Sequence, residues 1–307
     1  MRPTLRQLEY IVAVADTGRV GAAADVLNVS QPSLSAQLSE VELDLGVTLF
    51  TRGRSGAKIT PQGTEVVRRA REILREHADL RAATKGGGLF QGRLRLGVLP
   101  SVGPYLLPEV VRRLHEDHPS LRLVIREEST RDLDEGLRTG RLDMIISTPE
   151  DHPGSRHMDL FDERFWIAAA LDHPIAHAQR AVRLQDLKDQ TFLTLGPKYR
   201  LAHFVAALAS RASGRVSDEY EGTSLDAIRL MAASGAGIAV LPEIYAATEA
   251  RRGTDVALRY LDEPEALRRI ALIQPQRPEP RPGSDTLAYV LKSAARHLKQ
   301  EHEVVRS

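Results

Sequence analysis

Residues 29–42, VSQPSLSAQLSEVE, set the tightest constraint on how this chain folds. Leu34, Leu38, Val41 and Leu45 recur at helical spacing, which buries one side of a helix. The other side, from Ser30 to Ser39, carries four hydroxyls and two amides and no charge. Ser30 is placed to cap this helix, and Pro32 falls in its first turn, where a missing N–H costs nothing. Upstream, Leu5, Leu8, Ile11, Val12 and Ala15 mark a first helix that ends near Thr17 and Gly18. VGAAADVLNV then gives a short second helix whose alanines admit a close neighbour, and Asn28 and Val29 form a tight turn.

Helix, tight turn and helix with one neutral polar face is the arrangement that enters the major groove of duplex DNA. Gln31, Ser33, Ser35 and Gln37 form that face; glutamine pairs bidentately with adenine and serine bonds to either base type. The missing charge reappears in TRGRSGAKIT, residues 51–60, where Arg52, Arg54 and Lys58 stand without an acid. Its glycines suit a β-turn wing whose cations hold phosphates or enter a minor groove. Net charge +1 and a pI near 8.1 do not themselves demand a polyanion, so the case rests on this local clustering. A solvated packing unit would explain a serine-rich helix alone, but three helices, a neutral face and a basic hairpin together favour DNA.

The 307 residues suffice for two or three packed units. The opening apolar run is short and abuts Glu9 and Asp16, which does not read as a secretory signal. The longest uncharged stretch, residues 231–242, is too short and too rich in glycine to span a bilayer as a helix. The expectation is a cytoplasmic protein without a membrane partner.

From Pro61 the pattern is one long helix with Val66, Ala70, Ile73, His77 and Leu80 on a heptad seam, and two such helices would pair. His77 lacks a partner at metal spacing and reads as a packed histidine on that seam. KGGGLFQG, residues 85–92, then breaks the helix as a hinge.

Beyond the hinge, strands RLRLGVL, LRLVIREE and DMIIST alternate with helices at 104–118 and 131–139, which predicts a parallel α/β sheet with helices on both faces. FWIAAAL, TFLTL, a helix at about 200–212 and TSLDAIRLMAASGAGIAVLPE form a second set, and RRIALIQP returns the chain to the first. Two α/β lobes joined by crossing strands make a cleft for a small molecule. Ser101, Thr130 and Thr223 carry hydroxyls beside predicted helix N-termini, suited to an anion or a carbonyl oxygen. Each alone is better explained as an N-cap; only convergence in one cleft would make them ligand contacts.

GAGIA lies in helix–turn–strand order, the reverse of a dinucleotide fingerprint, and Pro174 disrupts the metal-like spacing of HPIAH. No serine, histidine and acid arrangement is visible in local sequence. No enzyme, metal or cofactor is expected. A different class stays open: a small-molecule-binding or catalytic α/β protein whose N-terminal domain serves only assembly.

AAADVLNVSQPSLSAQLSEVELDLGVTLFTR, within a match of about sixty positions, resembles the DNA-binding domain of the LysR-type transcriptional regulators. The resemblance implies that Ser30, Gln31, Pro32, Ser33 and Gln37 lie at the DNA and that Arg52 and Arg54 sit in the wing. It also implies a dimerising linker helix, an effector domain similar to periplasmic binding proteins, and commonly a tetramer of two dimers; homodimer and homotetramer both remain open. GVLPSVGPYLLPEVVRRLHEDHPSLRL and TSLDAIRLMAASGAGIAVLP most resemble the hydrogen-peroxide-sensing branch. There a reactive cysteine opens a helix, with a resolving cysteine further on; here the matching stretch LGPKYRLAHFVAALAS has Arg200 and Ala209, and the whole chain has no cysteine. An arginine forms neither a sulfenic acid nor a disulfide. Arg200, next to Tyr199 and facing Arg268, could bind a carboxylate or phosphate of the effector bidentately, or could pair with an acid across the lobes.

The expected organisation is an N-terminal winged helix-turn-helix at 1–60, a linker helix at 61–84, the hinge at 85–92 and the effector domain at 93–307. Its first lobe spans about 93–163 and 269–307, and its second about 164–268.

Overall fold

The computed structural model describes residues 3–53, 56–83, 93–119, 121–250, 255–276 and 283–303. The expected hinge and Arg54 lie outside the described residues, as does the side chain of Arg52.

Three helices open the chain: α1 (Leu5–Thr17), α2 (Val20–Leu27) and α3 (Gln31–Leu45). Thr4 and Gln7 form a reciprocal capping box at the start of α1, and Gly18 ends it with φ +66°. Asn28, in the left-handed region at φ 53°, turns the chain from α2 into α3, whose first turn is held by Ser30 Oγ accepting from the Ser33 N–H at 3.3 Å. Ile11, Val14, Ala23, Leu34, Leu38 and Val41 close the core between these helices. The hairpin of β1 (Phe50–Gly53) and β2 (Gly56–Ile59) follows.

The linker helix α4 (Pro61–Ala83) divides the expected seam. Val67 and Ala70 turn into the helical core, whereas Ile73 and Leu80 are 47% and 67% exposed. One stripe of α4 therefore anchors the first domain and a second stripe faces outward.

The remaining chain runs β3 (Arg93–Val98), α5 (Gly103–Asp117), β4 (Arg122–Glu127), α6 (Thr130–Arg138), β5 (Met144–Ser147), β6 (Arg156–Ala169), β7 (Thr191–Leu193), α7 (Arg200–Arg211), β8 (Arg215–Val216), α8 (Leu225–Ala233), β9 (Ile238–Pro242), a single turn α9 (Glu243–Tyr245), β10 (Ala257–Tyr260), β11 (Leu267–Gln274) and α10 (Ser284–Glu303). The sheet order is β4-β3-β5-β11-β6-β9-β7-β8, with β10 also paired to β6. The expectation of a parallel sheet holds at its two ends, where β3 pairs with β4 and β5, and β7 with β8 and β9. The centre is antiparallel, because β6 and β11 cross between the halves in opposite directions. β6 contributes Leu160 to one apolar core and Phe165 to the other, so a single strand passes from lobe to lobe.

Candidate DNA-reading face and interlobe cleft

Ser30, Gln31, Pro32 and Ser33 are exposed at the start of α3, held there by the buried Leu34 and Leu38 and by the Ser30 cap. Gln31 lies over Gly21 of α2, where a Cβ would meet its Oε1 at 3.3 Å. Ser35 is half-buried, and Gln37 turns back toward α1: its Oε1 accepts from Gln7 at 3.2 Å and its amide donates to Glu40 at 3.1 Å. The neutral face is thus split, with an outward N-terminal half and an inward Gln37. Lys58 is exposed on β2. The wing is fastened at its base: the Ala57 N–H donates to the Gly18 carbonyl at 2.8 Å, and Glu42 accepts from Leu49 and Phe50. Exposed Arg19 stands against the wing at Gly56, a cation the sequence reading missed because it lies outside the basic hairpin.

The six expected cleft residues do not share one cavity. Arg200 and Arg268 line one of about 490 Å³, together with Arg269, His203, Thr148, Glu150, Phe165 and Glu265. Tyr199 and Thr223 line another of about 500 Å³, with Pro100, Tyr105, Glu127 and Asp226. Ser101 is buried and accepts from Arg268 Nη1 at 3.1 Å. Thr130 Oγ1 is buried without a hydrogen-bond partner.

Helix capping departs from expectation by one residue. Ser129 caps α6 and Ser224 caps α8, so Thr130 is the first helical residue and Thr223 precedes the cap; α5 starts at Gly103, leaving Ser101 in the preceding turn. The reason is local: Ser129 and Ser224 already supply an acceptor for the orphan N–H groups.

Each arginine has an acid. Arg200 at the start of α7 pairs with Asp151, which follows β5 in the other lobe. Arg268 Nε donates to Glu163 Oε1 at 2.8 Å; the carboxylate is fully buried and its Oε2 also accepts from the Ile244 N–H at 3.0 Å. Of the two readings for Arg200, the acid across the lobes is present, and the same guanidinium is half exposed toward the cavity. Burial pushes the Tyr199 phenol above its usual range, with the Asp132 charge adding to it, and pushes the Glu127 carboxyl up as well.

A serine, histidine and acid do meet in space: His152 Nε2 lies 3.0 Å from Ser147 Oγ and Nδ1 3.1 Å from Asp134. Ser147 is fully buried, so no substrate reaches its hydroxyl; the contacts fix the turn after β5. Among the described residues no cluster of His, Asp and Glu could hold a metal, and no helix is long and apolar enough to cross a membrane.

Comparison with known proteins places both halves. Residues 5–64 match the family model described as "Bacterial regulatory helix-turn-helix protein, lysR family", and residues 87–296 match "LysR substrate binding domain". The chain is 35% identical over 284 residues to a hydrogen peroxide-inducible genes activator of Pectobacterium carotovorum subsp. carotovorum, covering 91% of each. It is 34% identical over 282 residues to the DNA-binding transcriptional dual regulator OxyR of Escherichia coli (strain K12), covering 91% of this chain and 90% of that protein. Among solved structures it is similar to full-length OxyR from Pseudomonas aeruginosa carrying a cysteine-to-aspartate substitution, with TM-score 0.74 and 30% identity over 96% of this chain and 98% of that one. Full-length BenM is similar with TM-score 0.57 and 26% identity, over 97% of each chain.

Proposed function

The chain belongs to the LysR family of bacterial transcriptional regulators, and on that premise we propose that it is a cytoplasmic regulator whose DNA binding is set by a small anionic effector rather than by a thiol. Residues 1–60 read duplex DNA, 61–84 pair two chains in a homodimer or homotetramer, 85–92 act as a hinge and 93–307 sense the effector. Ser30, Gln31, Pro32 and Ser33 meet the bases, Ser35 and Gln37 support that face, and Arg52, Arg54 and Lys58 hold phosphates.

The observation that carries the effector reading is the cavity of about 490 Å³ on which Arg200, Arg268 and Arg269 converge. Arg200 pairs with Asp151 through Nη1 and is half exposed, so it can turn donors toward a carboxylate or phosphate, while Arg268, held by Glu163 and Ser101, adds positive charge to the wall. An anion that took Arg200 from Asp151 would loosen one tie between the lobes, which gives it different affinities for two lobe arrangements, as a regulatory ligand requires. Ser101 orients Arg268, and Tyr199 and Thr223 line the neighbouring cavity. The absence of cysteine supports control without a thiol.

Thermal shift against a panel of organic acids and phosphate esters tests the effector. Stabilisation by one of them that disappears in Arg200→Ala is the expected result; stabilisation retained in both Arg200→Ala and Arg268→Ala would refute the anion site. For DNA, selection from a random duplex pool should yield a defined site. Gln31→Ala or Ser33→Ala should then lose about 1–3 kcal/mol of discrimination per contact, whereas Lys58→Ala should weaken all sequences alike and lower the salt slope.

A further inference from the structure

The linker helix meets the regulatory domain of its own chain through polar groups. Arg71, with its side chain only 7% exposed, donates to the Thr139 carbonyl at 2.8 Å and pairs with Asp16 of α1. Arg75, one turn on, donates to the Gly140 carbonyl at 3.1 Å and pairs with Asp143 at 2.8 Å. The Asp143 side chain is wholly buried and also accepts from the Arg95 N–H at 2.8 Å and its guanidinium at 3.1 Å. Two arginines of α4 thus bind the carbonyls that close α6, at the negative end of that helix. One of them also holds the first helix of the DNA-binding domain.

The opposite end of α6 lies near the cleft: Glu127, three residues before Thr130, lines the cavity of about 500 Å³ together with Tyr199. Ser129 and Thr130 begin it, and its nine residues span about 13 Å. α6 therefore starts close to the cleft and ends against α4.

Among the described residues no apolar core spans this junction. Val67 and Ala70 of α4 belong to the core of the helix-turn-helix, and the buried core of the first lobe includes no residue of α4. A cavity of about 310 Å³ lies between the two bodies, lined by Arg68, Glu72, Arg75, Asp134 and Arg138 among others. A few charge-assisted bonds give a definite orientation, yet they can be released without exposing apolar surface.

We propose that Arg71 and Arg75 form an intramolecular clamp that holds the DNA-binding domain in one orientation against the regulatory domain, and that α6 transmits the state of the cleft to it. The transmission half rests on the effector reading; the clamp half does not. A short helix moves as a rigid body, so displacement of Ser129 and Thr130 shifts the two carbonyls that the arginines hold.

The chain has no cysteine, so a Leu43→Cys, Tyr289→Cys pair, at positions 83% and 71% exposed, takes two spin labels without background. Pulsed electron paramagnetic resonance on the full chain, diluted with unlabelled chain to suppress intersubunit distances, should give one narrow distance distribution. Arg75→Ala should broaden it, and Arg75→Lys, which keeps the charge opposite Asp143, should narrow it again. Arg95 still neutralises Asp143 in these variants, so the fold survives. Unchanged narrow distributions in both Arg75→Ala and Arg71→Ala would overturn the clamp. Hydrogen exchange on the same variants tests transmission: the amides of Asp132 and Leu133, which bond to Ser129, should exchange about fivefold faster in Arg75→Ala, the scale for loss of about one hydrogen bond's worth of protection. Faster exchange confined to residues 139–143 would overturn transmission. Neither readout contains DNA or effector, so failure here is distinct from failure of the regulatory reading.

Discussion

At the residue scale, two positions decide whether the DNA-reading face and its switch work as argued. Gly56 holds φ +115°, and a Cβ there would sit 2.5 Å from the Gly18 carbonyl that receives the Ala57 N–H. Gly56→Ala should strain the wing by about 1–3 kcal/mol and lift it from the α1–α2 turn. The check is a lowered melting temperature together with weaker binding to any duplex. Arg200 is the second position, the one that the sequence resemblance matches to the reactive cysteine of the peroxide-sensing branch. Stoichiometric hydrogen peroxide should leave the footprint of the purified protein unchanged; a change reversed by a thiol reductant would contradict control by an anion. Both positions were visible in the sequence, Gly56 as a turn residue and Arg200 as a helix start. Their partners were not, since Asp151 lies 49 residues from Arg200 and Gly18 belongs to a different element.

At the element scale, periodicity disclosed α1, α3 and α4 because a buried stripe repeats within a single helix. The split of the α4 seam was hidden: Ala70 fits both a heptad and the core against α1, and only packing shows which one takes it. The divided cleft was hidden for the same reason. Ser101 and Arg268 are 167 residues apart, and no local pattern joins them. A pH test belongs to this scale. Arg68, and then Arg69, bond Glu65 near the start of α4 and hold its carboxyl down at about 2, against an ordinary 4.5. The folded value lies below the unfolded one, so the contribution is full above about 4.5 and is lost as pH falls toward 2. Glu65 is more than half exposed, which limits the contribution to about 1 kcal/mol at most. The difference in unfolding free energy between wild type and Glu65→Gln should therefore shrink as pH is lowered from about 5 to about 3, and should fall at high salt.

At the scale of the whole molecule, the two stripes of α4 give it two tasks. The inner one, Val67 and Ala70, makes α4 part of the helix-turn-helix, so the reading face moves with the linker as one body. The outer one leaves Ile73 and Leu80 largely in water on a helix whose other exposed positions are mostly charged. Side chains of that size at heptad spacing are suited to a second copy of the same helix, which would set two reading faces at a fixed separation on DNA. Ile73→Asp combined with Leu80→Asp should dissociate the assembly, as light scattering behind size exclusion would show. Because neither residue belongs to a buried core, the melting temperature extrapolated to low protein concentration should change little. Affinity for a two-half-site operator should then drop toward that for a single half-site. Retention of the wild-type mass would assign pairing to another face and leave the outer stripe of α4 without a role in spacing the reading heads.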